Sequence, residues 1–296
     1  MARAIFSSNT VSVLLGYGNG TYRPKRDYTA GPAPFSVAIG NLNGDDSQDL
    51  AVTNYGSRSI SIFLGSGDGT LRSRVDYGTG DLPTSVALGD LNGDSIADVA
   101  VANSGFSAVS VLLGNGNGTL QPRTDYAIYG IPEAVAIGDL NGDGSPDLAV
   151  ANNYTSTVSV MLGNGDGTFG RESEWGAGTG AFSVAIADLN GDGTADLALP
   201  NHKNHLTWYD GPNTVSVLLG NGDGSFGVDR ATATGSTPCA VTVGDLNGDD
   251  NLDVAVATLG SDKVSVLLGS GCGAFGVRSD FATGSSPRSV TSGDLN

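Results

Sequence analysis

The chain has 296 residues, 39% of them hydrophobic, 7% aromatic and 46 of them glycine, a length that fits one large all-β domain or two ordinary domains. Its 31 acidic side chains against 14 basic ones give a net charge of −17, which excludes a nucleic-acid phosphate partner and favours cations. Apolar runs are short and broken by Gly, Asp or Asn, far below the roughly 20 residues of a membrane helix, so no membrane insertion is expected.

The N-terminus, MARAIFSSNT, has no apolar stretch of the kind a signal peptide carries, and none is expected in this chain. Residues 2–28 read as three strands. The middle one of these then returns along the sequence: Ser-Val-Leu-Leu-Gly or a close variant starts at Ser12, Ser61, Ser110, Ser159, Ser216 and Ser265, at spacings of 49, 49, 49, 57 and 49. A second phrase, Asp/Asn-Leu-Asn, starts at Asn41, Asp90, Asp139, Asp188, Asp245 and Asp294 with the same period and the same eight-residue excess. Two landmarks thus agree on six units.

Within a unit, Ser36–Gly40 is a short apolar strand, an acidic turn follows, and Leu50-Ala51-Val52 resumes the apolar pattern. A third strand such as Val109–Leu113 ends in Gly114-Asn115-Gly116-Asn117-Gly118, whose residues suit the positive φ angles of a tight hairpin. The fourth strand, as in Arg123-Thr124-Asp125-Tyr126, alternates in polarity. Four antiparallel strands per unit predict an all-β, six-bladed β-propeller occupying residues 1–296 as a single domain, with the first strand the most apolar and innermost and the fourth at the rim. The ring is expected to close by pairing the terminal segments in one blade shared by 1–28 and 288–296. Because the chain stops at Asp294-Leu295-Asn296, within a motif completed five times before, a fragment or a cut repeat is expected.

The acidic turns carry the clearest chemistry. Asp139, Asn141, Asp143 and Asp147 put oxygen side chains at positions 1, 3, 5 and 9 of one loop, with a backbone carbonyl at Ser145 and a turn-forming Gly144 at position 6. The equivalents are Asn41, Asn43, Asp45, Ser47 and Asp49; Asp90, Asn92, Asp94, Ile96 and Asp98; Asp188, Asn190, Asp192, Thr194 and Asp196; and Asp245, Asn247, Asp249, Asn251 and Asp253. All-oxygen donors of this spacing suit Ca²⁺ at about five sites. An EF-hand would need a Glu at position 12, where the third loop has Val150, and soft metals would need Cys or His. Five divalent ions would offset ten of the seventeen net negative charges. The third and fourth loops are expected to bind best. Asn41 lowers the charge of the first loop, Asp46 and Ser95 replace the favoured glycine, and the sixth copy lacks positions 5 and 9.

This DxNGDGxxD loop, followed by SVLLGNGDGTF and by Phe169-Gly170, Phe226-Gly227 or Phe275-Gly276, resembles the FG-GAP (VCBS-type) repeat of integrin α-subunit-like propellers. The resemblance covers essentially the whole chain. It implies calcium in the loops and an extracellular or cell-surface setting in adhesion or carbohydrate recognition. Seven repeats are usual in integrin propellers and six are counted here, so no integrin partner is carried over.

The eight-residue excess falls in 200–212, which holds both histidines and one tryptophan. His202, His205, Trp208 and Tyr209 are candidate contacts for a protein or glycan ligand on the face opposite the metal loops. Trp175, in register with Tyr28, Tyr77, Tyr126 and Phe281, reads as blade packing, and Cys239 and Cys272 are not expected to bridge. The chain is read as a monomeric calcium-binding scaffold and not an enzyme. A lectin-like module is the sharper version. A polysaccharide lyase or hydrolase using the 200–212 insertion is the weaker alternative, because no paired carboxylates, nucleophile elbow or phosphate loop supports it.

Overall fold

The structure, a computed structural model, describes residues 1–202 and 212–294. Apart from one 3₁₀ turn at Phe6–Ser8, its regular elements are antiparallel strands in six successive sheets, the blades of a β-propeller. The N-terminal sheet contains β1 (Ala2–Ile5), β2 (Thr10–Val13) and β3 (Arg26–Thr29). The first blade has β4 (Pro34–Gly40), β5 (Asp49–Asn54), β6 (Ser59–Phe63) and β7 (Val75–Gly78). The second has β8 (Pro83–Gly89), β9 (Asp98–Asn103), β10 (Ala108–Leu112) and β11 (Thr124–Ala127). The third has β12 (Pro132–Gly138), β13 (Asp147–Asn152), β14 (Thr157–Met161) and β15 (Ser173–Gly176). The fourth has β16 (Ala185–Ala187), β17 (Asp196–Asn201), β18 (Thr214–Leu218) and β19 (Arg230–Ala233), and the fifth has β20 (Pro238–Gly244), β21 (Asp253–Thr258), β22 (Lys263–Leu267) and β23 (Ser279–Ala282).

Two compact units divide the chain. One holds Met1–Val135 with Asn164–Thr168 and the residues from Asp294; the other holds Ala136–Gly163 and Phe169–Gly293. In the first unit, one core joins Leu42, Ile60 and Ile62 of the first blade to Val86, Val99, Val101 and Leu112 of the second. A neighbouring core joins Val11 and Ala30 to Leu50, Val52 and Phe63. In the second unit, Ala198, Val215 and Val217 of the fourth blade pack on Val241, Val254, Val256 and Leu267 of the fifth. The cores lie between successive sheets, so each blade needs a neighbour to bury its faces.

Burial peaks in the second strand and not in the first. β5, β9, β13, β17 and β21 are buried along their whole length, while β4 and β8 are largely half-buried. The physical reason is position in the sheet: the second strand is hydrogen-bonded on both edges and packed on both faces, whereas the first has a free edge. The fourth strands are exposed, as the sequence predicts. Their aromatic side chain reaches the next blade: Tyr28 meets Phe63 edge-on at 6.5 Å, and Trp175 meets Phe226 edge-on at 5.9 Å.

The N-terminal sheet has three strands, the expected second, third and fourth of a unit, and among the described residues those from 285 to 294 form no strand. That segment nevertheless lies along β20. Ser292 Oγ is 3.1 Å from Thr242 Oγ1 and donates to the Val243 carbonyl at 3.1 Å, and the Cys239 thiol donates to the Pro287 carbonyl at 3.3 Å. Thr84 makes the equivalent bond to Pro132 between the second and third blades. Both cysteines are free thiols. Among the described residues no helix is long and apolar enough to cross a membrane.

Candidate metal-binding loops

Each loop joins the first strand of a blade to its second and is built as a run of side-chain-to-backbone turns. In the third loop, Asp139 Oδ1 accepts the Gly142 N–H at 2.7 Å and its Oδ2 accepts the Gly144 N–H at 2.9 Å. Asn141 accepts the Asp143 N–H at 2.9 Å and donates to Asp143 Oδ2 at 2.8 Å, while Asp143 Oδ1 accepts the Ser145 N–H at 2.7 Å. Asp147 closes the loop from within the sheet. Fully buried, it accepts the Leu140 N–H at 2.8 Å and the Gly163 N–H at 2.7 Å, pinning the loop's start to the end of the third strand.

The same bonds recur at Asp49, Asp98, Asp196 and Asp253, each of which is fully buried and accepts from a position-2 Leu and from Gly65, Gly114, Gly220 or Gly269. These glycines are required. A Cβ on Gly65, Gly163, Gly220 or Gly269 would overlap the carbonyl oxygen of Gln48, Pro146, Ala195 or Leu252, at position 8 of the loop. The carbonyl of Leu42, Leu91, Leu140 or Leu189 in turn accepts the N–H of Gly118, Gly167, Gly224 or Gly273 in the next hairpin, at 3.0–3.3 Å. The loops therefore clamp adjacent repeats at the end of the blade where the sequence places both loop and hairpin.

The first loop departs from this pattern. In the other four, the second carboxylate oxygen of position 1 accepts the N–H of position 6, as Asp90 does from Ser95 at 2.7 Å and Asp188 from Gly193 at 2.8 Å. Asn41 has no second acceptor oxygen, and its amide donates instead to the Asp45 carbonyl. Position 6 has a φ of 83° at Gly144 and 86° at Gly193, and Ser95 and Asp250 are held at 66°. A left-handed conformation at a residue with a Cβ costs about 1 kcal/mol. Ser95→Gly is therefore expected to raise stability by about 1 kcal/mol in urea denaturation, with Gly144→Ala lowering it by a similar amount.

The chemistry of the donors fits a hard cation. All side-chain donors are oxygens, and a carboxylate that has accepted two N–H groups still has lone pairs to offer. Among the described residues no ion pair is formed by the carboxylates of the five complete loops, whereas Asp27, Asp76, Asp81, Asp125 and Asp280 are paired. Burial raises the pKa of Asp98, Asp147 and Asp196, and repulsion from the carboxylates at positions 5 and 1 raises it further. Three or more His, Cys, Asp or Glu side chains nowhere converge as a ready cage among the described residues, because the loop oxygens are turned onto backbone N–H groups.

Of the other candidate contacts, His205, Trp208 and Tyr209 lie outside the described residues. His202 is described and is buried at 5% exposure, its ring 4.7 Å from Phe182. It belongs to the packing and not to an open contact surface.

Residues 41–101, 90–150, 139–199 and 205–256 each match the family model described as FG-GAP-like repeat. The chain belongs to the FG-GAP-like repeat family. Three of the four matched FG-GAP-like segments run from one acidic loop through the next, so the loop and the strands it clamps form the unit that repeats. No curated protein matches in sequence. Among solved structures, a candidate 6-phosphogluconolactonase of Bacteroides uniformis aligns with a TM-score of 0.72 at 15% identity, over 97% of this chain and 82% of that one. A lectin of Agrocybe aegerita that recognises non-reducing terminal N-acetylglucosamine aligns at 0.64 and 19%, over 94% and 75%. Virginiamycin B lyase of Staphylococcus aureus aligns at 0.62 and 12%, over 94% and 79%. At these identities the likeness shows the fold alone, and the named activities differ among themselves.

Proposed function

We propose that these FG-GAP-like repeats form a calcium-stabilised binding scaffold and that the chain is not an enzyme. The observation that carries the reading is the fivefold recurrence of an unpaired acidic loop closed by a buried aspartate. Bound Ca²⁺ would supply positive charge between positions 1, 3, 5 and 9, relieving the repulsion at Asp98, Asp147 and Asp196. Since four of the five loops also bond the next hairpin, tightening such a loop would tighten the contact between repeats. An extracellular setting, where calcium is plentiful, suits this use, and adhesion or glycan recognition would then fall to the opposite ends of the blades.

Equilibrium dialysis with calcium tests the reading, with about five ions per chain expected and the first loop the weakest of the five. Chains carrying Asp139→Ala or Asp188→Ala should each lose one ion, and a wild-type chain that bound none would end the proposal. The pH dependence has a defined sign. Asp98, Asp147 and Asp196 have folded pKa values above those of the unfolded chain, so they protonate first as pH falls, which favours the metal-free fold. Calcium needs them ionised. Its affinity is therefore expected to begin falling at a pH above the range in which ordinary aspartates titrate, and an affinity that held constant until that range was reached would contradict the assignment.

A further inference from the structure

At the end of the first blade away from its acidic loop, three rings form a platform. Tyr55 contacts both of the others: it is stacked with Phe35 at 5.7 Å and 28°, and it meets Phe6 at 6.3 Å and a tilt of 53°. Phe6 is 54% exposed and Phe35 42% exposed, so the rings face solvent across much of their surface. Backbone and side-chain bonds fix the three segments that bear them: Asn9 Oδ1 accepts the Ala33 N–H at 2.8 Å, Tyr55 N–H donates to Ala33 at 3.0 Å, and Ala30 N–H donates to Asn9 at 2.9 Å.

The fold does not need these rings. In register with Phe35 and Tyr55 the second blade has Thr84 and Ser104, the third has Glu133 and Asn153, and the fifth has Cys239 and Leu259, yet their strands pair as in the first blade. The fourth blade repeats the pair as Phe182 and His202, but there it is packed inside. We propose that Phe6, Phe35 and Tyr55 form a binding site for a neutral saccharide, which would lay the C–H face of a pyranose ring on the electron-rich aromatic faces. Area and charge select this occupant. Three half-exposed rings offer far less than the roughly 800 Å² per partner of a stable protein interface. The nearest cation in sequence to Tyr55, Arg58, is already paired with Asp81 at 2.9 Å and is not left over for an ionic ligand. Serines flank the platform at Ser7, Ser8 and Ser57, within the same short turns as Phe6 and Tyr55, where sugar hydroxyls would need partners.

The test uses the full chain in saturating calcium, titrated with neutral cello-, xylo-, manno- and chito-oligosaccharides while tyrosine fluorescence and heat are followed. The double variant Phe35→Thr/Tyr55→Ser transplants the second blade's residues and is expected to keep the wild-type melting temperature and metal count while losing at least tenfold in affinity. Failure of every neutral oligosaccharide to bind at millimolar concentration, or equal binding by the double variant, would overturn the site. The inference goes beyond the calcium reading and fails separately from it. A chain that holds five ions but no sugar defeats this site alone, and one that binds sugar through these rings but holds no ion defeats the metal reading alone.

Discussion

Asp147→Ala is expected to destabilise the chain by about 3–5 kcal/mol even without calcium, a loss its four equivalents at position 9 should share. Two buried N–H groups, those of Leu140 and Gly163, would lose the carboxylate that accepts them, and each buried donor left unpaired costs about 1–3 kcal/mol. Asp147→Asn should fall between the two, since an amide keeps one acceptor oxygen and turns a donor toward the other N–H. Asp139→Ala gives the contrast. Its partners Gly142 and Gly144 lie in an exposed turn where water can replace the carboxylate, so its cost should be small in chelator and grow once calcium is added. Urea denaturation of the three variants with and without calcium measures all of this, and equal costs for Asp139→Ala and Asp147→Ala in chelator would refute the distinction.

Gly163→Ala should cost about 2–4 kcal/mol, through collision and not through lost conformational freedom. Its φ is not in the left-handed region, but an added Cβ would strike the Pro146 carbonyl, which is backbone and cannot swing aside. The loop would have to move off the third strand, straining the bond from Gly163 to Asp147. Gly144, by contrast, has open space around its missing Cβ and only the left-handed φ of 83° to defend, so alanine there should cost about 1 kcal/mol. Reversal of that order in thermal melts would show that the position-8 carbonyl is free to yield.

Much of this architecture was legible because two sequence landmarks keep one 49-residue period, and alternating Asp, Asn and Gly leave few ways to fold between apolar strands. The spacing located every loop, and the register placed Trp175 in blade packing. Other features depend on contacts that no local pattern encodes. That β5 and its equivalents are more buried than the first strands follows from sheet order. The bond from Gly118 to Leu42 joins residues far apart in sequence. Asn41 was legible as a missing charge, but its loss of a second acceptor appears only when the position-6 N–H is traced. His202, read as part of an inserted loop, stands in register with Tyr55, which explains its place beside Phe182. The Phe6, Phe35 and Tyr55 cluster left one faint signal, namely rings where sibling repeats have small or polar residues.

The measurement that bears most directly on the calcium scaffold is a melting curve recorded with and without chelator on a sample whose metal content has been counted. Ions that bind the folded chain alone stabilise it by about 2.7 kcal/mol per site at a hundred times their dissociation constant, so several filled loops should shift the transition strongly upward. About five calcium ions and a large fall in melting temperature on chelation are the predicted outcome. Superimposable curves from a metal-free sample, whatever the calcium supplied, would contradict it.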